Sequence, residues 1–446
     1  DIASMTVLKG AAAAALYGSR ASNGAVIITT KSGSAGRSKK GLEVSYSTSL
    51  SFENIANLPK YQNTYGPGTL FNYANANGSW GPRFGTLDSI PVWPDYLAAF
   101  PELFPTGKVA YRAIPNNVKD LFKTGSIYEN SVTVNGGDEK TALSATASYL
   151  NQDGYVPNSS FNRANISIGG SSKLGMGVTV GGNFSYSRSN QVGGVFGENQ
   201  VEGSASSFAR NLFLARNWNI AGLPFEDKNG LPVSTSNAQY DNPLWSFRHN
   251  TISTVTDRYI ASIKLGYEIN PWISLNYQIG TNTNTFFRRE ITDIGSRAAE
   301  GKGRIKEQNY QFQEIESNFL VTLTPKINED FDFKAVLGHN VNQRTMRNQI
   351  ILGNEIISPG IYTITNTKTV LPDKGEYTRR RLWGLFADLE LGDKQFAFLT
   401  FTGRNDWSST LPTNSHSYFY PSVSGSFVFT QAFDIGGDVL NFGKIR

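Results

Sequence analysis

Residues 259–280 read YIASIKLGYEINPWISLNYQIG, and the alternation within that stretch decides the fold. Tyr259, Ala261, Ile263, Leu265, Tyr267 and Ile269 fall on one side of an extended chain, with Ser262, Lys264, Gly266 and Glu268 on the other. Successive side chains of a strand point to opposite faces, so this is a strand with one apolar and one polar surface. Asn270-Pro271 then supplies a tight reversal, and a second alternating run begins at once.

The same signature recurs outward in both directions. Val44, Tyr46, Thr48, Leu50 and Phe52 oppose serines and Glu43; Leu143, Ala145, Ala147 and Tyr149 oppose small polar residues; Trp383, Leu385, Ala387, Leu389 and Leu391 oppose Gly384, Asp388 and Glu390. Further runs lie near 127–135, 162–172, 178–188, 272–287, 308–324, 331–347, 395–405, 418–429 and, incompletely, 439–446. Together they predict about thirteen strands, each longer than the ~5–6 residues usual in globular sheets and long enough for a tilted membrane crossing. The connections alternate between tight turns and longer segments, with long loops at 53–126, 189–252, 288–307 and 348–376. That asymmetry belongs to a transmembrane antiparallel β-barrel with short periplasmic turns and long extracellular loops. Trp272, Phe331, Phe333, Phe427 and Phe429 adjoin the short turns, where an interfacial aromatic girdle is expected.

Composition agrees. Of 446 residues only 17% are charged, against ~25% in ordinary soluble domains, yet the hydrophobic fraction is an unremarkable 39%. No apolar run approaches the ~20 residues of a membrane helix. With 12% aromatic residues the chain has too much buriable surface for a disordered one. A net charge of +5, with no dense basic block apart from Lys31–Lys40 and Arg379–Arg381, argues against nucleic acid as a partner. The absence of cysteine excludes thiol catalysis and thiolate metal sites.

Residues 1–33 differ from the rest: Met5–Leu8 reads as a short strand, Ala11–Leu16 as a short helix and Ala25–Thr30 as a second strand. Residues 34–41 form a Gly/Ser/Lys linker into the barrel portion, 42–446. A small α/β segment tied to a barrel suggests a plug. The stretch Leu16–Lys31, LYGSRASNGAVIITTK, resembles the closing phrase of the plug in SusC/RagA-type TonB-dependent outer-membrane transporters. Ser79–Arg83 (SWGPR), Asn117–Gly137 (NVKDLFKTGSIYENSVTVNGG), Asp241–Trp245 (DNPLW), Gly403–Pro412 (GRNDWSSTLP) and Ser417–Ser422 (SYFYPS) are similar to the same family, in family order.

The resemblance implies a plugged barrel of about 22 strands, of which only part fits here. Both ends of the chain read as cut, and a signal peptide, the TonB-contacting box and the first part of the plug are expected outside it. It also implies import of a large nutrient, an oligosaccharide or oligopeptide. Its implied partners are a SusD-like surface lipoprotein, the TonB–ExbB–ExbD complex and outer-membrane lipid, and it allows a dimer of transporter–lipoprotein pairs. The rival reading from a different class is a structural or assembly subunit of a larger outer-membrane complex.

Catalytic chemistry has little support. His249, His339 and His416 are scattered without metal-ligand spacing, and no nucleophile elbow or phosphate loop is present, so no enzyme activity, cofactor or metal is expected. Asp227-Lys228-Asn229-Gly230 reads as a turn rather than a calcium loop. The long loops are richer. Their Tyr65, Phe71, Trp80, Arg83, Trp93, Arg210, Trp218 and Trp245 are candidate ligand contacts, because aromatic faces stack on sugars or peptide side chains and guanidinium groups bind carboxylates or hydroxyls. The plainer alternative is that these side chains pack the loops together. In the plug, Arg20, Asn23 and Lys31 are expected to hydrogen-bond the barrel wall and hold the plug in place.

Overall fold

In a computed structural model the described residues are 2–8, 18, 21, 23–30, 41–76, 78–194, 206–235, 240–433, 435 and 442–445. The short strands read at Met5–Leu8 and Ala25–Thr30 are present as β1 (Ile2–Leu8) and β2 (Ala25–Thr30), and they pair antiparallel. The expected helix at Ala11–Leu16 and the linker 34–40 lie outside the described residues.

The barrel wall is a twelve-stranded antiparallel sheet among the described residues. It starts with β3 (Gly41–Glu53). The first long loop then carries the short strands β4 (Gly68–Thr69), β5 (Asn72–Tyr73), β6 (Ser89–Pro91) and β7 (Lys108–Ala110). The wall resumes with β8 (Gly125–Gly137), β9 (Thr141–Asp153), β10 (Ser160–Gly175) and β11 (Val178–Gly194). After the second long loop come β12 (Thr251–Asn270), β13 (Ile273–Ile294), β14 (Lys302–Leu323) and β15 (Phe331–Ile356). The last three are β16 (Thr367–Asp393), β17 (Ala397–Ser408) and β18 (Ser417–Phe427). Each wall strand pairs with the next wall strand along the chain, so the sheet is a meander from β3 to β18 with β4 to β7 set aside in the first long loop. The run expected at 439–446 falls partly outside the described residues; within it Ile445 makes an isolated bridge to Phe427.

The tight turns are closed by side chains that mimic backbone. Asn270 Oδ1 accepts from the backbone N–H of Trp272 and Ile273 at 3.0 and 2.9 Å, and Asn328 does the same for Asp330 and Phe331. Asp138 Oδ1 accepts from Lys140 and Thr141. These are Asx turns, the local reason the chain reverses there.

Alternation sets the two faces of the wall. Residues in register carry Leu42, Val44, Val132, Ala145, Ile168, Phe184, Ile263, Ile279, Leu337, Leu385 and Phe401 to the outer face. Nearly all of these large apolar side chains are exposed, with Leu42 at 74% and Ile263 at 56%. A soluble surface does not carry apolar area on this scale, whereas lipid covers it. On β15 the outer face runs apolar from Phe331 to Val341, about 33 Å along the strand or about 25 Å along the membrane normal at ~40° tilt. That matches the ~25 Å apolar band of outer-membrane barrels. His339 lies in this band, but its ring nitrogen accepts from Trp383 Nε1, which satisfies it. Trp383 stacks on Trp407 and Tyr186 on Tyr259, with centroids 4.2 and 4.9 Å apart.

The strands run further than alternation alone predicts. β13 continues to Ile294 and β14 begins at Lys302; β15 continues to Ile356 and β16 begins at Thr367. Much of 288–307 and 348–376 is therefore paired wall rather than loop. Past the lipid the outer face meets water, so it need not be apolar, and the polarity pattern fades while the hydrogen-bond ladder persists.

Candidate functional site

Two regions carry contacts beyond the strand ladder: the stretch of inner wall that the plug segment touches, and the long loops.

On the inner wall, Arg404 and Asp406 point inward from β17 and form an ion pair, Nε to Oδ1 2.7 Å, with side chains only 5% and 11% exposed. The pair lies between two glycines. Gly384 on β16 is in register with Asp406, and a Cβ there would collide with both charged groups. On the other side lies Gly18, whose Cβ would collide with the Asp406 carboxylate and come within 3.1 Å of Arg404 Nε. Gly18 also has φ +79°, which L side chains rarely adopt. Two of the stretches quoted above, LYGSR and GRNDW, thus meet in space. Sequence reasoning missed Gly18, Arg404 and Asp406 as a unit because nothing local links residue 18 to residue 404. Of the expected plug contacts, Asn23 sits in an exposed turn, and Arg20 and Lys31 lie outside the described residues.

Above, the two longest loops fold on each other around one apolar core. Val92, Trp93, Tyr96, Phe104, Val118 and Leu121 from the first pack against Leu214, Ala215, Trp218, Ile220 and Val233 from the second. Trp93 and Trp218 stack with centroids 3.7 Å apart and planes 13° apart. Arg216, 1% exposed, donates to Asn117 Oδ1, Asn63 Oδ1 and the Pro115 carbonyl, and lies over the Tyr61 ring. Asn117 Nδ2 in turn donates to the carbonyls of Ala215 and Trp218. A buried guanidinium must be matched in this way, or its desolvation dominates.

The DNPLW stretch is the second fastener. Asp241 accepts from Asn250 Nδ2, Ser296 Oγ and the Arg297 backbone N–H, and burial pushes its carboxyl up despite these donors. Asn242 caps helix α1 (Pro243–His249) through Leu244 N and reaches Tyr96 Oη with its amide. Pro243 takes the first helical position, where no N–H is needed. Trp245 Nε1 donates to the Gly230 carbonyl, and its ring stacks on His249 at 4.5 Å. His249 bridges Asp293 and Glu226, both at 2.9 Å, while Tyr362 Oη donates to Asp293 at 2.7 Å. Burial opposes a charge on His249, but the hydrogen bonds with Asp293 and Glu226 outweigh it and hold its pKa above the usual value. The second loop, the β13 rim and the segment before β16 are thereby tied together. Asp227 Oδ1 accepts from Asn229 and Leu231 N–H, the turn expected for that stretch.

Trp93, Arg210, Trp218 and Trp245, offered above as ligand contacts, are therefore between 0% and 4% exposed. Arg210 lies 3.6 Å from the Tyr240 ring centroid. The other four candidates come together elsewhere. Gln62 organises residues 64–84: its Oε1 accepts from Thr64 and Tyr65 N–H, and its Nε2 donates to the Tyr65 and Ser79 carbonyls. Tyr65 bridges Arg83 through the backbone, with its ring 5.5 Å from Phe71 and 6.1 Å from Trp80. Phe71 and Trp80 are 62% and 63% exposed. Leu70 and Phe71 both have positive φ, 50° and 62°.

Among the described residues no three metal-binding side chains converge, and no helix is long and apolar enough to cross a membrane.

An antiparallel meander with an outward apolar band, an inward polar face and a segment against its inner wall defines a plugged outer-membrane β-barrel. No protein-family model matches the chain. It is 25% identical over 467 aligned residues to TonB-dependent receptor P26 of Formosa agariphila, covering 97% of this chain and 41% of that protein. It is 32% identical over 173 residues to TonB-dependent receptor SusC of Bacteroides thetaiotaomicron, covering 38% of this chain. The fold is similar to that in the structure of the RagAB peptide transporter, with TM-score 0.78 at 20% identity, over 97% of this chain and 49% of that one. The chain is SusC/RagA-like and its place is the outer membrane. It spans 41% or less of the length of the curated relatives it matches.

Proposed function

We propose that the receptor to which this chain belongs imports a large nutrient, oligosaccharide or oligopeptide, across the outer membrane by TonB-coupled movement of its plug. The observation that supports this reading is the seating of Gly18 on the Arg404–Asp406 pair: a plug segment held on the inner wall has to be moved for a large cargo to pass, and that movement requires work. The outer membrane has no energy source of its own, and the inner membrane supplies about 2.3 kcal/mol per charge per 100 mV. The loop core gives the rim a rigid frame, from which Tyr65, Phe71, Trp80 and Arg83 are offered to cargo or to a SusD-like lipoprotein that caps it. Trp93, Arg210, Trp218 and Trp245 hold that frame. Arg20 and Lys31 serve plug retention alongside Gly18, whereas Asn23 lies in an exposed turn.

Deleting the TonB box of the full-length receptor is expected to abolish uptake of its nutrient while leaving the protein in the membrane. Uptake that survives the deletion refutes energy coupling. A stoichiometric complex with assembly machinery and no uptake at all would favour the subunit reading instead.

A further inference from the structure

The inner wall carries aromatic residues at more than one level, and one group of them lies on β13 to β15. Phe286 on β13 is in register with Tyr310 on β14, and their rings stack with centroids 4.8 Å apart and planes 16° apart. Phe312, the next inward residue of β14, is in register with Met346 on β15. All four are only partly buried. Their inward direction follows from register, since Glu314, Glu316 and Asn318 share the parity of Tyr310 and Phe312 and bond to Asn340, Asn342 and Arg344 across the lumen face.

Here the alternation of the wall is inverted. Asn309, Gln311 and Gln313 point outward and are exposed, while the aromatic residues between them point in. The platform therefore stands clear of the bilayer. Met346 lies six positions beyond Asn340, the residue in register with Gly384, so the platform is about 20 Å along the strand from the plug contact, toward the loops.

Hydrogen-bonding groups frame the rings on both sides. Toward the loops, Gln308 Nε2 donates to Asn348 Oδ1 at 2.9 Å, and Arg288 lies 5.6 Å from the Phe286 centroid. Toward the plug, Arg344 pairs with Glu314 at 2.8 Å. Aromatic rings edged by amides, a guanidinium and a carboxylate suit a pyranose, which has an apolar face of C–H groups and a rim of hydroxyls that both donate and accept.

The geometry points to Phe286, Tyr310 and Phe312 as a glycan-binding subsite on the lumen wall, between the loops and the plug. This rests on the import reading and narrows its cargo to oligosaccharide. The test uses the full-length receptor in detergent, titrated calorimetrically with maltohexaose, cellohexaose, xylohexaose and mannohexaose, and separately with a set of defined oligopeptides. At least one glycan should bind, and Tyr310→Ala and Phe312→Ala should each weaken it about tenfold or more. Tyr310→Phe, which keeps the ring, should bind nearly as wild type, as should Gln311→Ala and Gln313→Ala on the outer face of the same strand. Glycan binding unchanged in both alanine variants would overturn the subsite while leaving import untouched. So would the absence of any glycan binding, or peptide binding that depends on Tyr310, which would assign the platform to peptide side chains. Uptake independent of the TonB box would strike at the import reading instead.

Discussion

At the scale of single residues, the clearest determinants are glycines that leave room rather than side chains that act. Gly18 and Gly384 clear the space for the Arg404–Asp406 pair, and Gly18 does so in a left-handed conformation. Alanine at Gly18 loses about 1–2 kcal/mol from backbone strain alone, before any clash with Asp406. In the full-length receptor Gly18→Ala is expected to raise amide exchange across β1 and β2, with the barrel strands unchanged; unchanged exchange in the hairpin would show that the contact does not hold the plug. The residue scale is also where the sequence is least transparent. Trp93 and Trp80 sit in the same loop among similar neighbours, yet one is 2% exposed and the other 63%. What separates them is the distant Trp218, a partner that no local pattern announces.

At the scale of elements, the fasteners between loops are polar and one of them titrates. His249 joins Glu226 and Asp293, with Arg248 paired to the same Glu226 and Tyr362 to the same Asp293. Its folded pKa is raised above the ordinary value of about 6.5. The stabilisation is therefore complete below the unfolded pKa and is lost as pH rises through the folded one. Limited proteolysis of the 206–250 region should accelerate as pH rises from about 6 toward 8.5, and His249→Gln should remove most of that dependence. A pH-independent cleavage rate in the unaltered protein would exclude this fastener as a determinant of loop stability. The strands themselves were readable because period-two alternation is a local property forced by lipid on one side and water on the other. Their extensions past residues 287 and 347 were not, since water on both sides imposes no pattern. The sequence NYQFQ at 309–313 does alternate, but in reversed sense, and only the register with β13 and β15 tells which side is the lumen.

At the scale of the whole molecule, one sheet separates three environments: lipid, lumen and the water above the rim. Leu265 and Gln313 both face outward, the first inside the apolar band and the second beyond it. Leu265→Arg is expected to destabilise the folded barrel by ~2–4 kcal/mol in lipid, against ~0–1 kcal/mol for Gln313→Arg. Reversible urea unfolding in phospholipid vesicles measures both, and equal losses would place the bilayer elsewhere on the wall.

The meander also dictates an order of assembly. Every barrel pairing joins consecutive wall strands, and apart from β3–β8 and β11–β12, which close the two longest loops, the wall can zip hairpin by hairpin with little loop-closure entropy at each step. The loop core is the opposite case. Arg216 and Asn117 are 99 residues apart, and β8 through β11 lie between them. Until those four strands have paired, the halves of the rim cannot find each other. The wall is thus the template on which its own mouth matures, and the receptor becomes competent to grip anything only after it is already embedded.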